Sequence, residues 1–225
     1  MVLNRKALES QLLQKLLVHP ELNLKILSDE ELLSSIHSTL QQERLTKELW
    51  IFAYGSLIWN PIFDYTERRV VSVNDWHRKF CLLAPLGRGT IENPGLVLGL
   101  ESGGICRGIA YRLESDGNLE QELLLLWRRE MVVGSYIPTW VEVNDDSQEA
   151  KAINAITFTV NYQHPMYVNN LSTEKIVKHL ATSTGVLGSS ADYLAQTVSS
   201  LLAAGIKDEQ LIDLDRRVRN YASRY

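Results

Sequence analysis

Through the first 48 residues the hydrophobic positions recur every three or four places, the period of a helix. Leu8, Leu12 and Leu16 share one face, and Pro20 separates them from a second segment that opens with "SDEE". There Ser28 and Glu31 have the spacing of a capping box, ahead of an apolar face made of Leu32, Leu33, Ile36 and Leu40. From Ile51 the period shortens to that of strands, which the pattern places at 51–55, 69–74, 79–84, 95–100, 105–113, 136–143 and 152–160. The stretches "LGRGT", "ENPG" and "ESGG" read as turns between several of them. One helix interrupts the strands at about 119–131. The last third returns to helix at about 172–183, 190–204 and 208–221, with Gly185 and Gly205 as stop signals.

Many short strands, one inserted helix and a helical tail predict an α+β domain whose sheet is strongly curved or closed into a small mixed β-barrel with flanking helices. The division expected is a helical N-terminal extension over 1–48 and one domain over 49–225. Composition permits this, since 225 residues with 45% hydrophobic side chains suffice for a packed core.

Charge and cysteine usage remove several classes of function. The net charge of −4 comes from 27 acidic and 23 basic residues spread along the chain, so no basic run invites nucleic acid. Cys81 and Cys106 do not form a C-x-x-C pair, and the five histidines lack ligand spacing, which argues against a disulfide scaffold or a metal site. The N-terminal leucines are interrupted by charges every few residues, unlike a signal peptide or a membrane span. A reduced, cytoplasmic setting is expected.

Two local features carry candidate chemistry. In "GNLEQELLLLWRREMVVGSY" the residues Leu119, Leu123, Leu126 and Trp127 form an apolar stripe, and the next position on that stripe is Glu130. Arg128 and Arg129 are expected to turn to other faces and reach solvent. A carboxylate at Glu130 faces desolvation and the negative end of the helix dipole, and both raise its pKa, as a general base or acid requires. Helix fraying that frees Glu130 into water, or pairing with a buried Arg, explains the same position without catalysis.

The second feature is "FAYGSL", where small residues follow a strand. Backbone N–H groups of Gly55, Ser56 and Leu57 can converge there on a carboxylate or a developing oxyanion, although a lone Gly-Ser turn is usually only a turn. Ser56 itself does not read as a nucleophile, because the hydrolase elbow G-x-S-x-G would need glycine at Tyr54 and Ile58. A base on a helix and an anion-binding turn suit proton abstraction or acyl transfer without a protein nucleophile.

The blocks "FAYGSLIWNP", "RGTIENPGLVLGL", "CRGIAYRL", "LLWRREMVVGSYIPTWVEV", "NYQHPMY" and "STGVLGSSADYL", in this order, resemble the ChaC family of glutathione-specific γ-glutamylcyclotransferases over about residues 50 to 222. The resemblance implies the small-barrel cyclotransferase fold and cleavage of glutathione, a small-molecule substrate, to 5-oxoproline and cysteinylglycine. It implies no metal, no organic cofactor and no membrane partner, and it leaves the oligomeric state open. It puts the catalytic carboxylate on Glu130 and the substrate-holding loop on Tyr54, Gly55, Ser56 and Leu57. Arg88 in "RGT" and Tyr167 in "HPMY" fall in blocks that bear substrate-binding residues, where a surface Arg or a packed Tyr is an equal alternative. The substrate's own α-amine would attack its γ-carbonyl, which accounts for the missing Ser-His pair. Two other readings stay open: a cyclotransferase for other γ-glutamyl amines or amino acids, and a non-catalytic γ-glutamyl-binding or partner-regulating module. Residues 1–48 lie outside the resemblance, so their removal is expected to leave the core folded.

Overall fold

The computed structural model describes residues 3–43, 48–114, 118–145 and 152–223. Its contacts fall into two compact units, one of Asn4–Arg78 with Leu100–Asn161 and one of Lys79–Gly99 with Tyr162–Tyr225. Among the described residues, no helix is long and apolar enough to cross a membrane.

The first unit opens with helices α1 (Arg5–Glu9), α2 (Leu12–Leu17) and α3 (Asp29–Gln41). It continues with strand β1 (Trp50–Ala53), a 3-10 turn at Ser56–Ile58, β2 (Tyr65–Ala84) and β3 (Gly95–Leu113). Helix α4 (Leu119–Glu130) and strands β4 (Tyr136–Asp145) and β5 (Ile153–Val160) complete it. Strands β2 and β3 run on into the second unit beyond Arg78 and before Leu100. The sheet order is β1-β3-β2-β4-β5 and it closes into a barrel, as the strand-rich middle of the sequence predicts. The closing seam is a parallel pairing of β1 with β5, while β1 pairs antiparallel with β3. All four residues of β1 are buried, so "WIFA" reads as an unbroken apolar run and not as an alternating strand.

Two expected turns are absent. The segments 69–74 and 79–84 belong to one strand, as do 95–100 and 105–113. The "ESGG" stretch lies inside β3, where Gly103 and Gly104 take φ of 97° and 80° and bend the strand without reversing it. Asp75 on β2 is also left-handed, and His77 Nδ1 lies 2.9 Å from the Gly103 carbonyl oxygen. Near α1 the expected helix is broken, because Gln11 has φ 54° and separates α1 from α2. The break buries Leu13 and leaves Leu12 only half-buried.

The second unit holds α5 (Thr173–Thr182), a short hairpin of β6 (Thr184–Gly185) with β7 (Gly188–Ser189), α6 (Ser190–Ala203) and α7 (Glu209–Ala222). These helices begin within two residues of where the period places them. Each starts at a side-chain cap, with Ser172, Ser189 and Asp208 accepting from the amides of Lys175, Asp192 and Leu211. Gly205 at φ 76° stops α6.

The N-terminal helices pack within the first unit, against α4. The capping box of Ser28 and Glu31 forms as its spacing predicts, and Leu8, Leu32 and Ile36 are buried to within 1%. Three polar links accompany that packing. The Arg5 guanidinium grips the Glu122 carboxylate through both oxygens, Arg128 donates to Asp29 at 3.0 and 2.8 Å, and the Leu27 amide donates to the Val132 carbonyl at 2.8 Å. Burial of side chains of this size contributes about 1.5–3 kcal/mol each, a large share of a domain stability on the order of 5–15 kcal/mol. Removing residues 1–48 is therefore expected to leave the core folded but less stable, with a sharply lower melting temperature and raised binding of an apolar dye. A truncated chain that melts as the full chain does would show that α4 does not depend on these helices.

Candidate active site

Glu130 is the last residue of α4, and the stripe that leads to it is half-buried at Leu119 and fully packed from Leu123 onward. Leu123, Leu126 and Trp127 show no exposure, and Trp127 meets the Phe158 ring edge-on at 5.0 Å. The side chain of Glu130 is 13% exposed. Burial pushes its carboxyl above the ordinary glutamate value, and the Arg129 charge and hydrogen bond oppose that rise.

The two arginines before it do not reach solvent as the sequence leads one to expect. The side chains of Arg128 and Arg129 are only 13% and 5% exposed. Arg128 is drawn in by Asp29 of α3. Arg129 is drawn the other way, into the turn that follows β1, and its Nε lies 3.1 Å from Glu130 Oε1. The pairing of Glu130 with a buried Arg, one of the alternatives open from sequence, is thus present.

The turn is built from the end of β1. The Tyr54 hydroxyl donates to the Phe158 carbonyl at 2.7 Å, which ties the start of the turn to β5. Gly55 then caps the 3-10 turn: its carbonyl accepts from the Ile58 amide at 3.0 Å, and the Ser56 carbonyl accepts from the Asn60 amide at 2.9 Å. The amides of Ser56 and Leu57, at the first two positions, have no acceptor within so short a helix. Leu57 is buried, and the Tyr111 hydroxyl holds the far side by donating to the Ile58 carbonyl at 3.1 Å. Ser56 Oγ accepts from Arg129 Nη2 at 2.8 Å, and the Asn60 carbonyl accepts from Nη1 at 2.7 Å. The partner of Ser56 Oγ is thus a cation and not the basic imidazole that a serine nucleophile requires.

Glu130 and the Tyr54–Leu57 turn therefore meet in one unit through Arg129, a residue that sequence periodicity did not single out. Arg88 and Tyr167 lie in the other unit. Arg88 stacks over the Tyr193 ring at 5.5 Å, and its Nη1 donates to the Ser189 carbonyl at 3.4 Å. Its loop is held tightly, since a Cβ on Gly95 would lie 2.4 Å from Ser190 Oγ and 2.5 Å from the Arg88 carbonyl oxygen. Tyr167 is half-buried, edge-on to Tyr162 at 5.1 Å, and bridges to Leu82 of β2. Among the described residues, no group of three or more His, Cys, Asp or Glu side chains has the arrangement of a metal site.

Residues 49–221 match the ChaC-like protein family. The chain belongs to that family. The ChaC-like region contains Glu130, the Tyr54–Leu57 turn, Arg88 and Tyr167, and it begins after α3. A glutathione-specific gamma-glutamylcyclotransferase of Escherichia coli (strain K12) is 41% identical over 187 residues, 83% of this chain and 80% of its own length. A human glutathione-specific gamma-glutamylcyclotransferase 1 is 29% identical over 167 residues, 72% of this chain and 75% of its own. The solved yeast gamma-glutamylcyclotransferase specific to glutathione superposes with a TM-score of 0.71 at 20% identity, over 80% of this chain and 99% of that one. The ChaC-like barrel with flanking helices is thus the fold that the resemblance implies.

Proposed function

We propose that this protein is a glutathione-specific γ-glutamylcyclotransferase, with Glu130 as the general base and the Tyr54–Leu57 turn as the substrate-holding loop. The observation that carries the reading is an enclosed carboxylate joined through one guanidinium to a turn whose leading amides have no helical acceptor. The relatives of known activity in Escherichia coli and human support the choice of glutathione.

In this mechanism the α-ammonium of the γ-glutamyl group gives a proton to Glu130, and the freed amine attacks its own γ-carbonyl. A five-membered ring forms as the new C–N bond closes, and negative charge develops on the carbonyl oxygen, where the turn's amides can stabilise it. The intermediate collapses by breaking the original amide C–N bond. Glu130 returns its proton to the departing nitrogen, and the ring nitrogen, cationic after its attack, gives up its second proton to the same leaving group. Cysteinylglycine departs as its ammonium while the ring leaves as 5-oxoproline. No water is consumed, and the base ends as it began. Arg88 and Tyr167 are carried as substrate-binding residues by the family resemblance alone, a guanidinium being suited to a carboxylate.

A substrate panel tests the reading: reduced glutathione, oxidised glutathione, γ-glutamyl-alanine and γ-glutamyl-ε-lysine, each scored for 5-oxoproline. Release chiefly from reduced glutathione is expected. Preference for γ-glutamyl-alanine would assign a different tail, and no release from any of them would leave a binding module. The pH dependence follows from the enclosed base. Glu130 must be ionised to act, and burial raises its pKa, so kcat should fall on acidification with an apparent pKa above the ~4.3 of an unperturbed glutamate. An acid limb at or below that value, with folding and binding intact, would show that the enclosed carboxylate does not limit the rate.

A further inference from the structure

We infer that Arg129 is a positioning residue for this reaction, a clamp that fixes the Glu130 carboxylate against the Tyr54–Leu57 turn. The inference rests on the assignment of Glu130 as base. It starts from an improbable contact, since side chains at i and i+1 on a helix do not face each other. Arg129 and Glu130 nevertheless meet at 3.1 Å, so something outside the helix must draw them together. That something is the turn, because Nη1 and Nη2 of the same guanidinium donate to the Asn60 carbonyl and to Ser56 Oγ.

A guanidinium is planar and presents its N–H donors in a fixed fork. When one edge is held by Ser56 and Asn60, the position and direction of Nε are set, and Nε in turn locates Oε1 of Glu130. The proton is then assigned to Oε2, the oxygen that this contact leaves for substrate. With a side chain only 5% exposed, Arg129 has little water to exchange these bonds with, which makes the fork a rigid link. Arg129 also acts through charge. Desolvation alone would drive Glu130 toward its neutral form, and among the described residues Arg129 is the charged group that counters it.

Geometry and charge can be separated with two variants. Arg129→Lys keeps a cation beside Glu130 but loses the fork, whereas Arg129→Gln loses both. The experiment measures kcat and KM for glutathione across pH in the wild type and both variants, with circular dichroism and thermal melts as folding controls. Arg129→Gln is expected to lose about 10²-fold in kcat at neutral pH, the scale of a misplaced catalytic group, and its acid limb should move to higher pH. Arg129→Lys should keep the wild-type acid limb, recover part of the loss in kcat, and show raised KM because the turn is no longer held. A folded Arg129→Gln with the wild-type kcat and acid limb would overturn the inference. Loss of the fold in both variants would overturn it too, by making Arg129 a core residue and no more. Failure of the underlying reading looks different: turnover would then survive Glu130→Gln, whereas turnover that needs Glu130 but ignores Arg129 sinks only the clamp.

Discussion

Glu130→Gln is expected to cut turnover of glutathione about 10²–10⁴-fold, the usual contribution of a positioned general base. Glutamine matches the shape of glutamate and can still accept the Arg129 Nε hydrogen bond at its amide oxygen, so substrate affinity should change little. What it cannot do is take the ammonium proton, which leaves the attacking nitrogen without a lone pair. The folding control matters here, because the substitution removes the negative partner of an arginine whose side chain is 5% exposed. The Ser56 and Asn60 acceptors stay in place and should hold the guanidinium. Steady-state kinetics with a melt of the same sample checks this; a folded variant with wild-type kcat would take Glu130 out of the mechanism.

The largest effect on stability is expected from Trp127→Ala. Trp127 shows no exposure, stacks edge-on against Phe158, and donates its indole N–H to Ser35 Oγ at 3.1 Å. It therefore joins α4 both to the barrel strand β5 and to α3. Truncation leaves a large cavity between elements that cannot close over it, with a cost of about 3–5 kcal/mol. The carbonyl of the same Phe158 accepts the Tyr54 hydroxyl, so the cavity also undermines the anchor of the turn, and activity should fall in the fraction that stays folded. A denaturant titration measures this through the midpoint at constant slope. A loss under about 1 kcal/mol, the range of a mere surface change, would mean that α4 is held by other contacts.

What was legible in the sequence is what short-range physics determines. The capping box at Ser28 and Glu31, the starts of α5, α6 and α7, and the stripe ending at Glu130 each follow from residues within a few positions of one another. The turn after β1 was also visible, because glycine and serine interrupt an apolar run. Long-range pairing was not. Arg5 and Glu122 are 117 positions apart, and Arg128 and Asp29 are 99 apart, so no local pattern could show that both arginines would be taken up by carboxylates. Arg129 was read as solvent-facing because helical spacing turns it off the stripe; the acceptors that reverse this lie 69 and 73 positions upstream. The two missing turns have another cause. Residues at positive φ, Gly103 and Gly104 in β3 and Asp75 in β2, serve a reversal and a bulge equally well, and only the hydrogen-bonding partners across β2 and β3 decide between them.

The central claim, that the substrate's own amine closes a ring on its γ-carbonyl, can be tested by following glutathione turnover in water enriched with ¹⁸O. Ring closure draws no oxygen from solvent. The predicted result is equimolar 5-oxoproline and cysteinylglycine, with no label in the 5-oxoproline. Release of free glutamate carrying solvent oxygen in its side-chain carboxylate would instead mean hydrolysis by an activated water, and would contradict the mechanism assigned to Glu130 and the Tyr54–Leu57 turn.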